Sequence, residues 1–68
     1  MEKLNSLRGI VYTKFKSISK LGAAIGWTRQ KTSNIVNGIS EPSLEDVDKL
    51  SKALEMGFEQ TARFFLPN

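Results

Sequence analysis

Arg29, Gln30, Ser33, Asn34 and Asn37 are the side chains in this sequence that could do chemistry as a set. Gln or Asn can pair with adenine through two hydrogen bonds, and Arg can do the same with guanine. At 100° per residue, Gln30, Ser33, Asn34 and Asn37 fall on one side of a helix, with Arg29 and Lys31 on its flanks. Thr32, Ile35 and Val36 share the opposite side. The outward side carries no carboxylate, which would repel phosphate. The chemistry on offer is therefore hydrogen bonding to a polyanion and its bases. A solvated helix face also uses such residues, so the elements that hold them must decide between the two readings.

Those elements lie in residues 17 to 38, SISKLGAAIGWTRQKTSNIVNG. Ile18, Leu21 and Ile25 recur at helical spacing, and so do Thr32, Ile35 and Val36. Gly26 stands between the two sets with room for only a tight turn. Two short helices joined by about four residues with Gly in the turn form a helix-turn-helix, whose second helix typically enters the DNA major groove. Gly22, with Ala23 beside it, stands where the helices must cross closely. Gly26 suits the left-handed position that ends the first helix. Ser17 and Thr28 stand where N-caps are wanted, and Gly38 ends the second helix as Gly26 ends the first.

The run L-G-x-x-I-G-W-T-R-Q-x-x-x-x-I-x-N-G, Leu21 to Gly38, resembles the helix-turn-helix of Cro and the phage repressors (XRE-type). The likeness extends from about residue 4 to residue 66. It implies an all-α fold, a compact five-helix bundle of the lambda-repressor-like kind, with the motif in helices two and three. In the helix-turn-helix register the helix at 29–36 is expected to contact bases, with Arg29 and Gln30 in its first turn deepest and Ser33 and Asn34 following. Three departures stand out. Ile18 occupies a place where the family often has a Gln that touches phosphate, Thr32 replaces an aliphatic residue, and the connection before residue 17 is longer than usual.

Size and composition limit the alternatives. The sequence has 68 residues, which is expected to make one domain, 1–68, with one small core. Cys is absent, which excludes disulfides, thiolate zinc sites and cysteine nucleophiles, and His is absent too. No apolar run approaches the roughly 18 residues of a membrane span, and the amino terminus has no signal-peptide character. The expected setting is cytoplasmic, on the nucleoid, with no membrane partner and no cofactor.

The net charge of +3 conceals an asymmetry. Residues 1–31 hold seven basic residues and one acid, Glu2, whereas residues 32–68 hold three basic residues and six acids. A basic half that contains the candidate reading helix fits a polyanion binder.

Along the rest of the chain, Leu4, Leu7, Ile10 and Val11 predict a first helix over 3–12, weakened by Gly9. TKFK, 13–16, reads as a basic connection with Phe15 turned inward. Lys14 and Lys16 either reach phosphates or are solvated loop lysines. Thr28 is placed to meet a phosphate or a thymine methyl, and Lys31 a phosphate. Asn37 is either a phosphate contact, as the resemblance implies, or a plain helix terminator. Trp27 reads as a core plug rather than a base-stacking residue.

Pro42 disfavours helix at Glu41, and Ser43 caps a fourth helix with Asp46 in its first turn. Leu44, Val47, Leu50 and Leu54 form its inward stripe, and Lys49 and Lys52 pair with Glu45 and Asp48. Those acids read as a salt-bridged outer face, not a metal cluster. Met56 and Gly57 end this helix. Phe58, Ala62 and Phe65 share one face of a last short helix stopped by Pro67. Phe64 and Leu66 do not fit that face, which leaves a dimer interface or burial in the same chain's core as readings.

The function expected is a sequence-specific double-stranded DNA-binding regulator of phage or prophage type, dimeric on a near-palindromic operator and repressing by steric block. The rivals are a protein-interaction module on the same fold, such as an antitoxin with its toxin partner, or the excised DNA-binding domain of a longer repressor. An enzyme is not expected, since the sequence has neither the residues nor the room for a typical pocket.

Overall fold

A computed structural model describes residues 2–66, and among them the chain forms five helices and no strand: α1 Glu2–Phe15, α2 Ile18–Ile25, α3 Arg29–Val36, α4 Leu44–Leu54 and α5 Phe58–Ala62. The all-α five-helix expectation holds. The α2 helix packs chiefly on α3, and α5 on α4, while α1 lies across α2, α3 and α4. Leu7 and Val11 from α1, Leu21 from α2, Trp27, Ile35 and Val36 around α3, and Leu50 and Leu54 from α4 form one buried cluster. Burying such a side chain is worth about 1.5–3 kcal/mol, which is large beside the small net stability of a domain.

Local chemistry explains where most helices start. Ser17, Thr28 and Ser43 each accept, through the hydroxyl oxygen, a backbone N–H three residues on, from Lys20, Lys31 and Asp46. At α4 the bond is reciprocated, since Asp46 Oδ2 accepts from the Ser43 backbone amide at 3.1 Å. That is a complete capping box. The Asp46 side chain also accepts from Lys31 Nζ at 3.1 Å, which ties α4 to α3.

Burial works to raise the Asp46 carboxyl, but hydrogen bonds from Ser43 and Lys31, with the Lys31 charge, outweigh it and hold it below its ordinary 3.8. A carboxyl lowered by folding stabilises the native state above its unfolded pKa, and this contribution is lost as pH falls through the folded value. The unfolding midpoint should therefore drop as the solution is acidified below 3.8, and Asp46→Asn should flatten that acid limb. An acid limb identical in wild type and Asp46→Asn would remove Asp46 from the account.

Four expectations are corrected. TKFK is not a connection: Thr13, Lys14 and Phe15 complete α1, and only Lys16 and Ser17 link it to α2. Thr13 stays in the helix by donating its hydroxyl to the Gly9 carbonyl at 2.8 Å, and Lys16 makes the turn in a left-handed conformation. Leu44 is 77% exposed, because it opens α4 beyond the reach of the elements packed on that helix, and Ser51 joins the buried stripe instead. Glu55, at φ 57°, ends α4, whereas Gly57 is the N-cap of α5. On α5 the inward residue is Thr61, fully buried with its hydroxyl on the Gly57 carbonyl at 2.9 Å, while Phe58 is turned outward. Pro67 lies outside the described residues.

Candidate nucleic-acid interface

The rotation of α3 about its own axis decides which side chains can meet a ligand. That rotation is set by Gly22. A Cβ there would lie 2.5 Å from Thr32 Oγ1 and 3.1 Å from the Trp27 carbonyl oxygen, so α2 and α3 approach more closely than any side chain would allow. Gly26, at φ 90°, then turns the chain, and the amides of Gly26 and Trp27 both donate to the Gly22 carbonyl, at 2.8 and 2.9 Å. Thr32 is fully buried, and its hydroxyl donates to the Thr28 carbonyl at 2.8 Å, which satisfies the one polar group it brings inward. Ile35 and Val36 complete the hidden side. Trp27 is buried in the core cluster, as expected of a plug.

With that side fixed, the outward edge follows. Arg29, Gln30 and Lys31 are exposed, and Ser33, Asn34 and Asn37 are partly so. Two i,i+4 bonds organise the edge. Gln30 Nε2 donates to Asn34 Oδ1 at 2.9 Å, and Asn37 Nδ2 donates to Ser33 Oγ at 3.1 Å. The first bond leaves Gln30 Oε1 as an acceptor and amide N–H donors on both residues for a base edge. Arg29 heads the helix beside a shallow cleft of about 170 Å³, lined by Tyr12, Ser17, Ile18, Ser19, Arg29 and Ser33. The structure thus brings the four expected base-reading residues onto one accessible edge.

The expected phosphate-contacting residues separate into two groups. Lys14 Nζ lies 3.3 Å from Glu55, and Lys31 Nζ lies 3.1 Å from Asp46 and 5.1 Å from the centre of the Trp27 ring. Each of these lysines must share its charge with a carboxylate. Lys16 is exposed at the α1–α2 link and makes no ion pair among the described residues, and Thr28 is exposed with its hydroxyl oxygen accepting the cap bond and its O–H left to donate. Asn37 is half-buried and bonded on both its oxygen and its nitrogen.

Sequence reasoning did not single out Arg8, Tyr12 or Lys20. Arg8 touches Asn37, Tyr12 lines the cleft at Arg29, and Lys20 is exposed in the first turn of α2. Among the described residues Arg8, Lys16, Lys20 and Arg29 have no ion-pair partner, and all belong to the basic half of the chain. The run of acid-free sequence from residue 3 to residue 40 is the signal that could have found them. The acids Glu45 and Asp48 pair with Lys49 and Lys52 as expected of a solvated face.

Phe64 packs partly against the core of its own chain, and Leu66 is 57% exposed. No helix among the described residues is long and apolar enough to cross a membrane.

Residues 16–60 match a protein family described as Helix-turn-helix. The matched span runs from the α1–α2 link into α5, and is narrower than the likeness read from the sequence over about 4–66. No curated protein and no solved structure matches the chain.

Proposed function

Because the chain belongs to the helix-turn-helix family, in its Cro and phage-repressor type, we propose that it regulates transcription by binding one sequence of double-stranded DNA. The observation that carries this reading is the outward edge of α3, where Arg29, Gln30, Ser33 and Asn34 stand together without an acid, opposite a buried side that fixes them. In this reading residues 1–68 act as one DNA-binding domain. The α3 helix lies in the major groove, where Gln30 and Asn34 read adenine edges and Arg29 a guanine. Lys16, Thr28 and Asn37 hold the flanking phosphates, with Lys14 and Lys31 contributing if they exchange Glu55 and Asp46 for phosphate.

The protein acts in the cytoplasm as a homodimer on its operator. Two copies of α3 then sit about 34 Å apart over half-sites one helical turn apart. Leu66 and the outer edge of Phe64 lie at the contact between copies. Repression is steric, as for a phage or prophage repressor, since the protein blocks other proteins from the same DNA. The exposed apolar side chains Ile39, Leu44 and Phe58 favour one further reading, a protein partner held on the same fold, such as the toxin of an antitoxin pair or the remainder of a larger regulator.

Selection of bound duplexes from a random pool tests the main reading. It should return a near-palindrome with half-sites about 10 base pairs apart, bound by two chains per duplex. Affinity for it should fall steeply between low and moderate salt, because each phosphate contact releases counterions. A pool that yields no preferred sequence, or an affinity indifferent to salt, would sink it. A toxin-like protein that co-purifies and displaces DNA would favour the second reading.

A further inference from the structure

Arg8 stands apart among the cations of this chain. It lies half-buried in the middle of α1, one helical turn after Leu4, and that face rests against the end of α3. The fit is close, since a Cβ on Gly38 would meet Leu4 Cδ1 at 2.5 Å. The Arg8 guanidinium donates to Asn37 Oδ1 at 3.3 Å and to Asn5 Oδ1. Both acceptors are neutral amides, and Arg8 has no carboxylate within ion-pair distance among the described residues. A guanidinium carries five N–H donors in a rigid fork, so two bonds leave several unused. A partly desolvated cation held only by neutral acceptors keeps its full charge for an anion from outside.

The surroundings point the same way. The backbone amides that could have met an anion here are spent, since those of Asn37, Gly38, Ile39 and Ser40 donate to the carbonyls of Ser33, Ile35 and Asn34. Asn37 turns its oxygen to Arg8 and one amide hydrogen to Ser33, which leaves its second amide hydrogen as a further donor. An anion arriving at this end of α3 therefore meets side-chain donors, with Arg8 as the source of charge. Lys14 and Lys31, by contrast, must each give up a carboxylate first.

We infer that Arg8, reaching across from α1, binds a backbone phosphate of duplex DNA at the carboxyl-terminal end of α3, with the Asn37 amide beside it. The inference rests on the reading of α3 as the helix that enters the groove. Asn5 and Asn37 orient the guanidinium fork before DNA arrives, which lowers the ordering cost of a two-pronged contact. Arg8 also pins α1 to the reading helix, so the phosphate sets the register of the whole body on the duplex.

Binding by the full chain is measured from about 50 to about 300 mM salt, on a duplex the protein itself selects and on a random duplex of equal length. Arg8→Gln removes the charge and keeps a hydrogen-bonding amide. It should weaken both duplexes by the same factor and lower the slope of log K against log salt by about 0.9, so that the affinity lost between about 50 and about 200 mM becomes about 3.5-fold smaller. Arg8→Lys should restore that slope. An unchanged slope in Arg8→Gln, or a loss confined to the selected duplex, overturns the inference.

A wild type that binds neither duplex would instead remove the reading of α3, and this is seen before any variant is made. Should Arg8→Gln lose its helical circular dichroism, an NMR titration of the wild type decides. An Arg8 Nε–H resonance that moves together with the α3 amides on addition of duplex supports the contact, and one that stays in place overturns it.

Discussion

Gly22→Val should lower the thermal midpoint of this chain by about 10 °C or more. The Cβ of a residue at 22 falls 2.5 Å from Thr32 Oγ1 and 3.1 Å from the Trp27 carbonyl oxygen. The first neighbour can yield only by rotating a fully buried threonine off the Thr28 carbonyl, which leaves a hydroxyl without a partner at a cost of about 1–3 kcal/mol. The second neighbour is backbone and cannot yield without shifting the turn. Overpacking adds about 1–3 kcal/mol, and each kcal/mol moves the midpoint of a domain this small by about 4–8 °C.

Gly9→Ala supplies the contrast. Gly9 is exposed in α1 and nothing lies within 4 Å of its would-be Cβ, so the same kind of change there should stabilise by about 0.5–1 kcal/mol through helix propensity alone. Differential scanning calorimetry of both variants checks the pair. Equal and small shifts would mean that α2 and α3 are not held at the observed separation.

On DNA, Gln30→Ala is expected to weaken the cognate site by about 1–3 kcal/mol, or about 5- to 150-fold, and to relax selectivity at one base pair. Asn34→Ala should behave similarly one step away. The two losses should not add. Gln30 Nε2 donates to Asn34 Oδ1 at 2.9 Å, so each amide sets the orientation in which the other meets a base. Removing both should therefore cost less than the sum of the single losses. Titrations of the two single variants and the double variant on the selected duplex close the cycle. If Gln30→Ala returns the same preferred sequence from a random pool at undiminished affinity, the outward edge of α3 does not read the bases.

What was legible in the sequence was local. Ser17, Thr28 and Ser43 announce their caps because the bond they make reaches only three residues along the chain. Gly22 announces a close crossing, and the period of Thr32, Ile35 and Val36 fixes which side of α3 faces water. The pairings that sort the cations were not legible. Lys31 meets Asp46 from 15 residues away, Arg8 meets Asn37 from 29, and Lys14 meets Glu55 from 41. Nothing in a linear pattern distinguishes a lysine that will find a carboxylate from one that will not.

Leu44 misled for a related reason. Its spacing from Val47 and Leu54 is helical, yet burial needs a neighbour to cover it, and the first position of α4 has none. Phe64 was ambiguous in the same way, because five residues of α5 carry too little period to say where the following turn will fold.

Trp27 has a practical consequence. It is the single tryptophan of the sequence, shut into the core at the bend between α2 and α3, its indole nitrogen without a protein partner and the Lys31 ammonium 5.1 Å over its ring. An indole kept from water emits at shorter wavelength than a hydrated one, and a nearby cation alters its brightness. The motif therefore carries its own lamp. Loosening of the bend, or withdrawal of the lysine toward another anion, can be followed by light alone, with no label attached.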